Sequence, residues 1–186
     1  MWNRNSSTLE LPPLESVQHL EGKGNWAVKK YYEWPYSFFY QQKLRMILKI
    51  LDDYRPFYWN ILDFGSGSGI LKPELSKRCM TLKSVNSTKE MNYYSMFESV
   101  VCGSVLEFCE LSRTIPIIKS VMKRGSILCI ASPMKTPISE LYFRSIGDNK
   151  ERNHHKSIVE YVSTYLHVTS YTEWHGLYFS IGAILE

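Results

Sequence analysis

The first residues with the types and spacing of a ligand site form a run of alternate glycines. Positions 61–70 read ILDFGSGSGI, which passes from an apolar stretch through Asp63 to three glycines. Glycine permits positive φ and a close approach of ligand to backbone, and a following helix would present free N–H groups. The segment therefore predicts a strand-to-helix turn that binds a nucleotide-like ligand. A tight turn without a ligand is the alternative.

The spacing of these glycines narrows the class of ligand. It is GxGxG, with Asp63 two positions before the first glycine, whereas the dinucleotide-binding turn is GxGxxG. The end of the second predicted strand also carries no acidic residue, so a nicotinamide-dependent oxidoreductase is disfavoured. Ser66 and Ser68 do not stand in the GxSxG pattern of a hydrolase nucleophile.

Two side chains are candidates for a catalytic base. His155 lies in a polar stretch after one predicted strand, and Glu107 follows another. Either could take a proton from a reacting hydroxyl or amine. A surface loop is the alternative position for His155, and an exposed helix surface is the alternative for Glu107. The histidines lack carboxylates at ligand spacing, so no metal site is predicted.

Apolar runs that alternate with helical patterns indicate how these residues are positioned. The predicted strands are 60–64, about 81–86, 98–103 and 126–131, and the predicted helices are 70–78, 88–96 and 105–123. This alternation is typical of a parallel sheet covered on both faces. Further on, helices are predicted at 138–146 and about 156–166. Two β-rich segments, 167–174 and 177–185, are separated by His175-Gly176 and predict a hairpin.

Composition favours one intracellular domain. The 186 residues are 44% apolar, which is enough for a core, and the net charge of +4 is scattered, so nucleic-acid binding is not indicated. The four cysteines form no CxxC pair and are predicted to be reduced. No apolar run approaches the length of a membrane span, and the N-terminus lacks a signal-peptide pattern. A cytoplasmic protein is expected.

The chain is expected to have two parts. Residues 1–24, rich in polar residues, proline and glycine, predict a flexible leader, and 25–186 predict a single domain. Residues 25–55 form an aromatic and helical cap region within it. Its helix is predicted to bury one apolar face, with Lys43 elsewhere. The buried face comprises Tyr40, Leu44, Ile47, Leu48 and Leu51.

Taken together, residues 38–186 resemble the class I S-adenosylmethionine (SAM) dependent methyltransferases, of the type 11/12-like group. The first motif of that family is an acidic residue followed by GxGxG, as at 61–70. The segments SVNSTKEM at 84–91, FESVVCGSVLE at 97–107 and KRGSILCIA at 123–131 are similar to its later strands. The resemblance implies a three-layer α/β Rossmann-like fold, with a mostly parallel sheet and a C-terminal antiparallel hairpin. It implies SAM as cofactor.

The same resemblance implies which residues bind the cofactor. In the family, the acidic residue and the turn backbone hold the methionine amino group, and an acid at the position of Asn86 binds the ribose hydroxyls. The implied cofactor-binding residues are Asp63, Gly65, Ser66, Gly67, Gly69, Asn86, Ser87, Cys102 and Ser104, with Tyr32 and Trp34 as a lid. Aromatic faces attract a sulfonium cation. Packing of these rings onto the sheet is the alternative.

The chain departs from the family pattern in two places. Asn86 carries no charge, and only about ten residues separate it from Phe97, where the usual fold needs roughly 25 for a helix, a strand and a loop. The chain is thus expected to be shortened there, with a partly open adenine pocket. Two functions stay open: a SAM-dependent methyltransferase, with a small-molecule acceptor favoured, and an inactive methyltransferase-like binding or partner protein. The acceptor and the oligomeric state are not predicted.

Overall fold

The computed structural model describes residues 9–17, 28–91, 96–148 and 150–186. Six strands form one sheet: β1 (Tyr58–Phe64), β2 (Cys79–Val85), β3 (Phe97–Gly103), β4 (Met122–Pro133), β5 (His167–Trp174) and β6 (Tyr178–Ile184). Their order is β2-β1-β3-β4-β6-β5. The first four strands are parallel, and β6 is antiparallel to both of its neighbours. The predicted fold, a mostly parallel sheet ending in an antiparallel hairpin, is confirmed.

Helices cover both faces of this sheet. They are α1 (Leu14–Val17), α2 (Tyr36–Tyr54), α3 (Lys72–Ser76), α4 (Leu111–Val121), α5 (Pro137–Ser145) and α6 (His155–Tyr165). Alternation along β1 shows how the two layers arise, because successive side chains of a strand point to opposite faces. Ile61 packs in the core formed with α2, α3 and α5, whereas Leu62 and Phe64 pack in the core formed with α4 and α6.

Helix α2 lies against the sheet through the predicted apolar stripe. Tyr40, Leu44, Ile47 and Leu51 are buried at the spacing of one helix face. Lys43 is buried as well, so its expected position away from that face is wrong. It lies three residues after Tyr40 and four before Ile47, which places it on the same face.

Three predicted helices are shorter in the structure. The segment 70–78 contains only α3, since Ile70 and Leu71 belong to a turn and Cys79 already starts β2. The segment 105–123 contains a 3-10 turn at Leu106–Phe108, then α4, and its last two residues belong to β4. Of 88–96, residues 88–90 form a 3-10 turn, and residues 92–95 lie outside the described residues.

The shortening between β2 and β3 leaves β2 at the edge of the sheet. Among the described residues of this connection there is neither a further strand nor an α-helix. At the opposite edge, β5 and β6 form the predicted hairpin. His175 and Gly176 adopt φ values of 49° and 66°, the mirror-image turn that matches the twist of a hairpin.

The part of the expected leader that is described packs on the domain. The backbone N–H of Glu10 donates to Glu74 at 2.9 Å, the hydroxyl of Tyr32 donates to the carbonyl of Pro12 at 2.6 Å, and Val17 is buried. Residues 1–8 and 18–24 lie outside the described residues. All four cysteines are free. None of the described helices has the length and apolar character required to cross a membrane.

Candidate functional site

A cavity of about 180 Å³ opens at the carboxyl ends of β1, β3 and β4. Ligands of open α/β sheets bind at this edge. The cavity walls come from the glycine turn after β1, from α2, from the segment after β3 and from the chain around α5. Its lining includes Tyr31, Tyr40, Lys43, Asp63, Gly65, Ser66, Gly67, Ser104, Glu107, Phe143, Asp148, Arg152 and Tyr178.

The glycine turn is held in a conformation that other residues rarely adopt. Gly65, Gly67 and Gly69 have φ values of 76°, 52° and 71°. At Gly65 space is also lacking, because an added Cβ would lie 2.4 Å from the Cβ of Val105. The Gly65 N–H donates to the carbonyl of Val85 at 2.8 Å, which attaches the turn to the end of β2. Glycine is therefore required here for conformation and for packing.

Asp63, the last-but-one residue of β1, carries a buried carboxyl group at the cavity wall. Its side chain faces the α2 layer, and the residue is 3% exposed. Among the described residues, nothing hydrogen-bonds to its Oδ2 atom. Burial raises the pKa of this carboxyl to about 7, and nearby Lys72 opposes part of that rise. A buried acceptor without a partner is costly, so Oδ2 is a natural contact for a ligand N–H group.

Asn86 and Ser87 follow the end of β2, and Asn86 supports the glycine turn. Oδ1 of Asn86 accepts hydrogen bonds from the Gly67 N–H at 3.0 Å and the Ser66 hydroxyl at 3.3 Å. The hydroxyl of Ser87 accepts from Lys89 N–H and caps the following 3-10 turn. The structure therefore places both residues beside the cavity rather than in its lining.

Gly69 faces a different space. It lines a second cavity of about 450 Å³, which lies between the glycine turn and the segment Pro12–Val17. Ser66 and Gly67 line both cavities, so the turn forms the partition between them.

Ser104 and Lys43 meet at the cavity wall. Ser104 follows β3 with a φ of 60°, an uncommon left-handed conformation for a residue with a side chain. Its hydroxyl accepts a hydrogen bond of 2.7 Å from the Nζ atom of Lys43. Lys43 is 7% exposed and reaches the cavity from α2. The structure thus adds a buried cation that the sequence did not assign to the site.

Glu107 also lines the cavity, in the 3-10 turn after β3. It is buried, and its Oε2 accepts a hydrogen bond of 2.9 Å from the hydroxyl of Ser132. Burial raises the pKa of this carboxyl, and the charge of Lys43 opposes that rise. Its alternative position on an exposed helix surface is wrong. A buried carboxyl group with a raised pKa is a candidate for proton transfer in catalysis.

Another part of the cavity wall combines charge with aromatic rings. Arg152 forms an ion pair with Asp148 and lies 4.5 Å from the centre of the Phe143 ring. The hydroxyl of Tyr178, at the start of β6, is buried and lacks a hydrogen-bond partner in the described part of the chain. Three unpartnered buried polar atoms, on Asp63, Arg152 and Tyr178, therefore belong to residues that line one cavity.

Besides Gly69, Asn86 and Ser87, four of the expected site residues lie outside the lining of this cavity. Cys102 pairs with Phe64 in the sheet and points into the opposite core, on the side of α4 and α6. The hydroxyl of Tyr32 donates a hydrogen bond to the carbonyl of Pro12, and Trp34 is 85% exposed to solvent. The structure does not bring these three side chains together with the glycine turn.

His155 is the fourth of these residues. It is buried at the start of α6, where its Nδ1 accepts a hydrogen bond of 3.2 Å from the Lys135 backbone N–H and its ring stacks on His154. Burial lowers its pKa. These contacts give it a structural role. No group of three metal-ligating side chains occurs among the residues that the structure describes.

Comparisons with known proteins show which proteins share this fold. No protein-family model matches the chain, and no curated protein matches it by sequence. Among solved structures, the N-methyltransferase NodS from Bradyrhizobium japonicum WM9, in complex with S-adenosylhomocysteine (SAH), has a TM-score of 0.64. The two chains are 13% identical, over 91% of this chain and 98% of NodS. This chain has the fold of SAM-dependent methyltransferases.

Two further structures with this methyltransferase fold extend the comparison. A SAM-dependent methyltransferase from Aquifex aeolicus is 13% identical over 78% of this chain and 93% of its own, with a TM-score of 0.58. The [4+2]-cyclase SpnF is 12% identical over 76% of this chain and 80% of its own, with a TM-score of 0.57. Because a cyclase shares the fold, the reaction must be argued from the site.

Sequence reasoning missed the residues that reach this cavity through tertiary packing. Lys43 had a detectable signal, because its spacing from Tyr40 and Ile47 places it on the buried helix face. Tyr178 and Arg152 had none. Tyr178 reaches the cavity because β6 runs antiparallel to β4 and pairs with Pro133, a contact between distant parts of the chain.

Proposed function

We propose that this protein is a methyltransferase that binds SAM in the cavity beside the glycine turn and methylates a small molecule. The observation that carries the proposal is the buried Oδ2 atom of Asp63, which has no partner among the described residues and belongs to the cavity lining. The methionyl part of SAM carries an ammonium group that would supply the missing donors. The fold and the three positive-φ glycines support the same ligand.

The residues present fit SAM along one side of the cavity. Asp63 would hold the ammonium group, and the backbone at Gly65 and Gly67 allows close approach. The rings of Tyr31 and Tyr40 line the same cavity and suit a cationic sulfur. Because Gly67 and Ser66 already donate to Oδ1 of Asn86, its side-chain NH₂ is the group we assign to a ribose oxygen.

When bound, SAM supplies an electrophilic methyl group. The protein would then mainly position the two reactants and manage a proton. We assign to Glu107 the acceptance of the proton that leaves the acceptor's nucleophilic atom, since this carboxyl is buried at the cavity and its pKa is raised by burial. The hydrogen bond from Ser132 fixes the orientation of the carboxyl group.

The free cysteines are in keeping with a cytoplasmic location.

Calorimetric titration with SAM and SAH tests the proposal. We expect Asp63→Asn to weaken binding roughly 10- to 100-fold, because a hydrogen bond to a charged group contributes about 1.5–3 kcal/mol. Asp53→Asn is the matched control, since Asp53 is exposed and pairs with Lys49 on the outer face of α2. Absence of binding to the folded wild-type protein at millimolar SAH would overturn the proposal.

A second arm separates catalysis from binding alone. Wild-type protein is incubated with SAM labelled in its methyl group and with a small-molecule extract, and labelled products are separated. Label transfer by the wild type and not by Asp63→Asn supports a methyltransferase. Tight SAM binding without transfer would favour the non-catalytic binding protein.

A further inference from the structure

Lys43 is a buried cation whose contacts in the protein are incomplete. Its Nζ atom donates to the hydroxyl of Ser104, and the ring centres of Tyr31 and Tyr40 lie 5.4 and 5.8 Å away. No carboxylate oxygen of the described residues lies within the 4.0 Å of an ion pair with this atom. A lysine ammonium has three N–H donors, and one neutral hydroxyl accepts from it here.

This arrangement is costly for a purely structural residue. Burial of a charge is unfavourable unless an opposite charge or several hydrogen bonds compensate it, and an apolar side chain would pack α2 on the sheet at lower cost. Glu107 is near enough for its pKa to respond to Lys43, yet its carboxyl is engaged by Ser132. The remaining donors of Lys43 are thus available to an anion in the cavity.

The same cavity contains the reverse situation at Asp63. That carboxyl is buried with an unpartnered Oδ2, and alternation along β1 turns it toward the layer of α2, on which Lys43 lies. One cavity therefore offers an anion and a cation that are both incompletely compensated. The ligand complementary to this pair carries an ammonium group and a carboxylate close together.

We infer that Lys43 binds the carboxylate of an α-amino-acid group whose ammonium is held by Asp63. The inference rests on the proposed function, because the methionyl end of SAM is the group that brings both charges. Ser104 orients Lys43 toward this carboxylate, and the left-handed backbone at Ser104 places its hydroxyl at the cavity wall.

The test compares two ligands that differ in this carboxylate. SAH and its decarboxylated analogue, which retains the amine, are titrated by calorimetry into wild type and Lys43→Met. Methionine approximates the length of lysine without its charge. We expect the wild type to prefer SAH roughly tenfold or more, as for a charge-assisted hydrogen bond, and Lys43→Met to bind both ligands with similar affinity.

Two controls keep the outcome interpretable. Lys49→Met changes an exposed lysine of the same helix, which pairs with Asp53, and should keep the wild-type preference. Thermal unfolding of Lys43→Met should show a Tm equal to or above that of wild type, since a buried charge is removed. An unchanged SAH preference in folded Lys43→Met overturns the inference while the proposed function stands. Failure of SAH to bind the wild type overturns the proposed function itself, and this inference with it.

Discussion

At the scale of single residues, the buried carboxyl of Asp63, which we propose as a ligand contact, lowers the stability of the folded protein when it is ionised. Burial raises its pKa from 3.8 to about 7 in the folded protein, so between these pH values the folded state holds a proton that the unfolded state has released. The free energy of unfolding therefore decreases as pH rises through this range and is constant above it. The decrease amounts to about 4 kcal/mol.

The variant Asp63→Asn isolates this effect. Asparagine does not titrate, so we expect the variant to unfold at higher urea than wild type at pH 8, with the difference shrinking toward pH 4. Urea unfolding followed by circular dichroism between pH 4 and 8.5 measures it, and Asp53→Asn should follow the wild-type curve. A variant less stable than wild type at pH 8 would show that the ionised carboxyl stabilises the protein by contacts of its own.

The predictability of the site also differs residue by residue. The sequence could place Asp63, Gly65 and Gly67 in one turn, because a turn is a local structure with a local spacing rule, and the structure brings them to the cavity wall. Cys102 was not, because its face depends on sheet register: it pairs with Phe64 and so points to the core of α4 and α6. Trp34 is a similar case, since aromatic content says nothing about whether a ring packs inward or is exposed.

At the scale of elements, one arginine joins α2, α3 and the start of β2. The guanidinium of Arg78 donates to both oxygens of Asp52, at 2.7 and 3.0 Å, and to Oε2 of Glu74 at 2.7 Å. Glu74 is almost fully buried. Burial alone would raise its pKa, but hydrogen bonds from Arg78, from the Glu10 N–H and from Lys77 lower it below the usual value. Glu74 therefore stays ionised inside the protein.

Removal of this arginine should loosen the layer that carries Lys43. We expect Arg78→Met to lower the free energy of unfolding by about 3–5 kcal/mol, because it leaves the buried carboxylate of Glu74 without its main partner. Arg78→Lys should recover little, since lysine cannot reproduce the two-pronged contact with Asp52. Urea unfolding measures these losses.

Two further variants test the cause. Arg78→Met combined with Glu74→Gln should regain much of the loss, because the uncompensated charge is removed. Arg113→Met, at an exposed position of α4, should change stability by less than about 0.5 kcal/mol. If Arg78→Met costs no more than Arg113→Met, the three elements are held together by their apolar contacts alone.

Element bounds were predicted closely where the local pattern has one interpretation, and helices 138–146 and about 156–166 lie within one residue of α5 and α6. A buried parallel strand is a continuous apolar run, so 98–103 coincides with β3 to within one residue. The segment 167–174 coincides with β5, an antiparallel and mostly exposed edge strand, and was predicted from its β-rich composition and the His175-Gly176 turn that follows it. The pattern of 70–78 was ambiguous, because Ile70 and Leu71 are buried whether they lie in a helix or in a turn. Tertiary packing determines which of these residues are helical, and α3 is only five residues long.

At the scale of the whole molecule, the shortened connection after β2 changes how the sheet ends. Of the described strands, only β1 pairs with β2, and the side chains of Met80, Thr81 and Lys83 are exposed. A charged residue such as Lys83 on an edge strand disfavours pairing with a further strand. The glycine turn is attached to this edge through Val85 and Asn86, so the site lies between a central strand and an edge strand.

Native-state hydrogen exchange followed by mass spectrometry should reveal this asymmetry. We expect peptides of β2 to exchange faster than those of β1 and β3, because an edge strand has ladder hydrogen bonds on one side and opens at lower free energy. Saturating SAH should slow exchange in the glycine turn and at the end of β2, which Asn86 joins to it. Equal protection of β2 and β1 without ligand would show that the edge is covered. If that protection weakened on dilution, a second copy of the chain would be the cover, and the cavity would open at the boundary between two subunits.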